Sequence, residues 1–148
     1  MESIREVYLM EKIKVILDTG AYMPERAHEA DAGYDLRSPI KTRIYPGMSF
    51  TIDTGVHVQI PHGYVGMLKS KSGLNVKHDI VGEGVIDSGY TGSIRVKLYN
   101  HGNESYMIEV GDKISQLVIL PILTPDLEQT NSFEKTERGN NGFGSTGR

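Results

Sequence analysis

Phe50-Thr-Ile-Asp-Thr-Gly-Val-His-Val-Gln-Ile60 alternates apolar and polar side chains with a period of two. Phe50, Ile52, Thr54, Val56, Val58 and Ile60 share one face; Thr51, Asp53, Gly55, His57 and Gln59 share the other. Successive strand side chains point to opposite faces. The stretch therefore predicts a half-buried strand pair, or one long bent strand with a bulge at Gly55. The same period recurs at Ile94, Val96 and Leu98, and at Tyr106, Ile108 and Val110. Ile114 through Leu123 is almost continuously apolar, as for a strand buried on both faces, and Pro121 marks an edge or exit. Turn signals at Pro46-Gly47, Pro61-His-Gly63, Ser88-Gly89, His101-Gly-Asn103 and Gly111-Asp112 separate these runs. Spacing of about ten residues between turns suggests an all-β sandwich or barrel. One short helix is expected, from near Ser72 through Lys77. From Thr124 to Glu137 the apolar residues thin out into an extended arm.

The 148 residues are enough for one domain with a real core, expected over residues 10–123. Residues 1–9 read as an N-terminal extension outside the fold, and 124–148 as an arm ending in a glycine-rich segment. The net charge of −3 gives no footprint for DNA or RNA, although a few placed cations suffice for one nucleotide. With no cysteine, disulfides, thiolate zinc sites and cysteine nucleophiles are excluded. No apolar run reaches membrane-span length, and the N-terminus lacks a signal-peptide core, so the expected location is cytoplasmic.

Five segments carry groups suited to chemistry. In Asp31-Ala-Gly-Tyr-Asp-Leu-Arg-Ser38, Asp35 either holds hydrated magnesium or forms a surface pair with Arg37. In Lys69-Ser-Lys-Ser-Gly-Leu74, a helix capped by Ser72 presents free N–H groups beside Lys71, an anion site or an ordinary cap. In Gly84-Val-Ile-Asp-Ser-Gly-Tyr-Thr-Gly92, Asp87 projects from a hairpin shaped by Gly89. It is there either a general base or an aspartate bonded to its own turn. Gln116, in Gly111-Asp-Lys-Ile-Ser-Gln-Leu117, is polar within an apolar run and needs a partner, either a phosphate or a neighbouring strand. Arg138-Gly-Asn-Asn-Gly-Phe-Gly-Ser-Thr-Gly-Arg148 offers backbone N–H groups, two hydroxyls, a cation and one ring. It suits a lid over a nucleotide, or else a disordered end.

In this order, the five segments resemble the motifs of the trimeric deoxyuridine triphosphate nucleotidohydrolase (dUTPase) family, over nearly the whole chain from about residue 10. The resemblance implies a jelly-roll-like fold and a homotrimer whose three sites are shared between subunits. It implies cleavage of dUTP to dUMP and pyrophosphate with Mg2+, which keeps uracil out of DNA and supplies dUMP for thymidylate synthesis. It makes Asp87 the base that activates water for attack on the α-phosphorus. Tyr90 would pack under the deoxyribose and exclude a 2′-hydroxyl, and the backbone of Gly84, Val85 and Ile86 would read uracil. Lys71, Ser72, Gly73 and Gln116 would meet phosphate oxygens, and Asp35 would bind the waters around magnesium. Phe143 would stack on uracil while Arg138, Gly144, Ser145 and Thr146 grip the terminal phosphate.

Three positions depart from the family pattern. Lys71 replaces the usual arginine and loses its planar fork. Asn141 replaces a glycine, and Ser88-Gly89 replaces residues that are often acidic. A related dCTP deaminase would need a glutamate where Lys97 stands. A catalytically weak or inactive nucleotide-binding relative is the alternative raised by Lys71. A jelly-roll binding module without catalysis would leave Asp87, Tyr90, Arg138 and Phe143 unexplained.

Overall fold

The computed structural model describes residues 12–147; the proposed extension over residues 1–9 lies outside them. Eleven strands and one helix follow in order: β1 Lys14–Leu17, β2 Gly33–Arg37, β3 Thr42–Ile44, β4 Ser49–Asp53, β5 Val56–Gln59, β6 Tyr64–Lys69, α1 Ser72–His78, β7 Ile80–Val81, β8 Gly84–Ile86, β9 Arg95–Asn100, β10 Tyr106–Ile108 and β11 Lys113–Pro121. All strand pairs are antiparallel, in sheets β1-β5, β3-β10, β2-β11-β6-β8 and β4-β9-β7. The fold is all-β and jelly-roll-like.

Inward residues of all four sheets meet in one core that includes Leu36, Ile44, Ile52, Val58, Leu68, Ile86, Val96, Ile108 and Leu117. The Phe50–Ile60 alternation is a pair of strands, β4 and β5, broken at Thr54-Gly55, where Gly55 has φ 68°. They do not pair with each other: β4 joins β9, and β5 joins β1. Thr54 is fully buried because its hydroxyl donates to the Ile94 carbonyl at 2.6 Å. Phe50 departs from the alternation and is 39% exposed. It stands opposite buried Leu98 on edge strand β4, near the end of the sheet, where cover is incomplete. Val110 is also exposed, because β10 stops at Ile108 and the chain turns through Glu109–Asp112.

β11 lies between β2 and β6, as its apolar run implies, with Ile114 and Leu117 buried. Burial ends before Leu120, and every described residue from there to 147 is exposed. Ser72 is not the helix cap. Lys71 takes that position in extended backbone, without a side-chain cap, and Ser72 is the first helical residue.

Candidate active site

The sheet β2-β11-β6-β8 aligns four of the five segments on neighbouring strands. Asp35 on β2 is opposite Gln116 on β11, Gln116 is opposite Lys69 on β6, and the preceding residue of β6, Leu68, is opposite Gly84 on β8. At this end of the sheet the chain leaves β6 through Ser70 and Lys71 into α1.

Asp35 is the buried charge of the site, 6% exposed. Lys71 Nζ lies 2.5 Å from one carboxylate oxygen and Lys113 Nζ lies 2.9 Å from the other. Burial pushes the carboxyl pKa up, but hydrogen bonds and charge from the two lysines outweigh it and hold it below the ordinary 3.8. The carboxylate is therefore ionised at neutral pH. The surface pair between Asp35 and Arg37 does not form, because Arg37 Nη1 donates to the Gly111 carbonyl at 2.8 Å. Lys113 was not singled out from the sequence, although it lies inside the fourth segment. A bulge between Lys113 and Ser115 interrupts the β11–β2 register beside it, and bulges are not visible in a local pattern.

Gln116 finds its partner within the chain: its Nε2 donates to the Ser70 carbonyl at 3.1 Å. Gly33 makes room for it, since a Cβ at Gly33 would run into the Gln116 side chain. Ser70 Oγ in turn bridges Gly82 and Glu83. The segment before α1 is thus fixed from both sides, while Ser72 and Gly73 are exposed at an uncapped helix start.

Gly84, Val85 and Ile86 form β8, an edge strand, so one side of its backbone has no strand partner. Asp87 follows on a turn in which the Tyr90 N–H donates to the Asp87 carbonyl at 3.1 Å and Gly89 adopts φ 88°. This turn is not a hairpin. β8 belongs with β6, whereas the next strand, β9, joins β4 and β7. The chain changes sheets here, which a local alternation does not reveal. The Asp87 carboxylate makes none of the side-chain hydrogen bonds among the described residues, including the self-bond common in Asp-Ser-Gly turns. Tyr90 bends back over the bare Gly92 and donates its hydroxyl to the Ser93 carbonyl at 3.0 Å. The residue is 45% exposed.

These groups are not all adjacent. Asp87 lies three residues beyond Gly84, about 10 Å along the strand, running away from the Asp35 end. The described tail is exposed throughout, and its hydrogen bonds are local. Arg138 Nε donates to the Asn141 carbonyl at 2.9 Å, and Ser145 N–H donates to the Gly142 carbonyl at 2.9 Å. Phe143 is fully exposed, and Gly144 adopts φ 76°. Asn141 has no positive φ, so the change from glycine carries no backbone strain. Thr146 is exposed with its neighbours. Lys97, the position that a deaminase would fill with glutamate, is exposed on β9 over the Tyr99 ring.

The dUTPase family model matches residues 19–147. The deoxyuridine 5′-triphosphate nucleotidohydrolase of Clostridium acetobutylicum is 42% identical over 139 residues, covering 92% of this chain and 95% of that protein. The mouse protein of the same name is 42% identical over 135 residues, covering 90% and 83%. Among solved structures, the Staphylococcus bacteriophage 80alpha dUTPase with dUPNHPP superposes with a TM-score of 0.88 at 38% identity, covering 94% of this chain and all of that one. A mutant dUTPase from phage phi11 of S. aureus, with a coordinated structural Mg(II) ion, superposes with a TM-score of 0.78 at 36% identity, covering 84% and 100%. With four of its motifs on one sheet and the family match running through the fifth, the chain belongs to the dUTPase family.

Proposed function

We propose that the protein hydrolyses dUTP to dUMP and pyrophosphate as a homotrimer with shared active sites, in the cytoplasm. The observation that carries this reading is the sheet β2-β11-β6-β8. It collects phosphate-binding candidates at one end and leaves Asp87 free on a turn beyond the other. Among the described residues, no helix is long and apolar enough to cross a membrane.

The separation of Asp87 from Asp35 supports sites built between subunits. So do the exposed apolar residues of the arm: Leu123 is 92% exposed, Leu127 97% and Phe133 91%. An apolar cleft of about 390 Å³, lined by Ile13, Val15, Met23, Tyr34, Val58 and Ile119, offers a seat for another chain.

Asp87 takes a proton from water as its oxygen bonds to the α-phosphorus and pyrophosphate leaves. The edge of β8 meets uracil, and Tyr90 lies under the deoxyribose. Lys71 spends one of its three donors on Asp35 and keeps two for phosphate, so its substitution for arginine retains a cation without a two-point grip. Ser72, Gly73 and Gln116 complete the phosphate contacts. Phe143 stacks on the base, and Arg138, Gly144, Ser145 and Thr146 close on the terminal phosphate.

No group of three or more His, Asp or Glu side chains among the described residues forms a metal cage. Ionised Asp35 would hold Mg2+ through its waters, with the remaining ligands left to the substrate. When bound, Mg2+ supplies positive charge against the triphosphate.

Pyrophosphate release from dUTP with Mg2+ tests the reading, with UTP, dTTP and dCTP as controls. Release is expected from dUTP alone at appreciable rate, since Tyr90 opposes a 2′-hydroxyl and the β8 backbone selects uracil. No release from dUTP, or equal release from all four, contradicts it.

A further inference from the structure

His57 on β5 bridges two segments distant in sequence, the end of β1 and the turn after β8. Its Nδ1 lies 2.7 Å from the Thr91 carbonyl, and its Nε2 lies 3.1 Å from both oxygens of Asp18. A carbonyl only accepts, and so does an ionised carboxylate. Both ring nitrogens must therefore donate, and only the charged imidazolium carries two N–H groups. Thr91 directly follows Tyr90, and its carbonyl belongs to the peptide that leads into Gly92, beneath the Tyr90 ring.

We propose that charged His57 is a positioning residue for the Asp87–Tyr90 turn, clamping the Thr91 carbonyl to Asp18 so that dUTP affinity falls when the ring loses a proton. This rests on the proposed role of Tyr90 at the sugar. The charged groups around the ring favour the cation. Asp18 follows β1, and Asp53 at the end of β4 adds attraction. Arg95 at the start of β9 lies 3.8 Å from Asp53 and offsets part of it, and Lys14 on β1 lines a groove together with His57 and Thr91. The bond to Thr91 and then that to Asp18 raise the ring pKa above the ordinary 6.5. A raised folded value means that the clamp is complete below 6.5 and is lost as pH rises through the folded pKa.

Two measurements on the full chain test the clamp. In NMR titrations, the Gly92 amide is expected to shift with the same midpoint as the His57 ring, above 6.5, and this step should vanish in His57→Gln. In steady-state assays, wild-type KM for dUTP should rise about three- to tenfold across that midpoint, the worth of about one hydrogen bond, with a smaller change in kcat. His57→Gln has one nitrogen where two are needed, so its KM should be high throughout and lack the step. Asp18→Asn should move the step to lower pH. Parallel KM profiles for wild type and His57→Gln, or a Gly92 amide indifferent to His57, would overturn the proposal. If dUTP is not turned over at all, the proposed function fails and the Gly92 titration alone decides the clamp.

Discussion

Asp87→Asn is expected to lower kcat on dUTP by about 10²–10⁴-fold, the usual contribution of a positioned general base. Asparagine keeps the size of the side chain but cannot take a proton from water. Asp87 is exposed, and the turn that holds it depends on its backbone carbonyl and on Gly89, not on its carboxylate. The variant should therefore fold with an unchanged melting temperature and bind dUTP with nearly wild-type affinity in calorimetry. A loss confined to kcat marks an interaction made in the transition state. Retained turnover would remove Asp87 from the role of base.

Deleting residues 138–148 is the second large effect. In the proposed roles, Phe143 stacking on a base would contribute about 1–3 kcal/mol, and Arg138 on phosphate about 1.5–3 kcal/mol. Together, about 2.5–6 kcal/mol would correspond to roughly two to four decades in kcat/KM. Exclusion of water by the closed lid acts in the same direction. The described tail is exposed throughout, so its removal should leave the melting temperature and oligomeric mass unchanged. A monomer after deletion would show that the tail holds the assembly together, and unchanged activity would show that it is no lid.

Period-two patterning is local, and for that reason the strands around Ile52–Ile60 and Ile94–Leu98 were legible from residues alone. Pairing is not local. Nothing in the alternation tells that β4 joins β9 while β5 joins β1, or that the turn after Asp87 passes between sheets. Gln116 did need a partner, as its place in an apolar run implies, whereas the local pattern does not reveal that Asp35 is buried and needs compensating charge. Their actual partners, the Ser70 carbonyl and the pair Lys71 and Lys113, depend on register and on a bulge. His57 looked like an ordinary outward strand residue, because Asp18 and Thr91 are distant from it in sequence. Ser72 failed as a cap because the extended backbone of Lys71 already begins the helix.

In the proposed homotrimer, each site draws Asp87 and the tail from different copies of the chain. Asp87→Asn subunits and subunits lacking residues 138–148 can be unfolded, mixed and refolded together, and the mixed trimers separated by tags. Each parent trimer lacks one essential part at every site. In a cyclic trimer with shared sites, every mixed trimer regains one site with both an intact Asp87 and an intact tail. Steady-state dUTP hydrolysis by purified mixed trimers should therefore reach about one third of the wild-type rate. Mixed trimers as inactive as their parents would contradict the shared site.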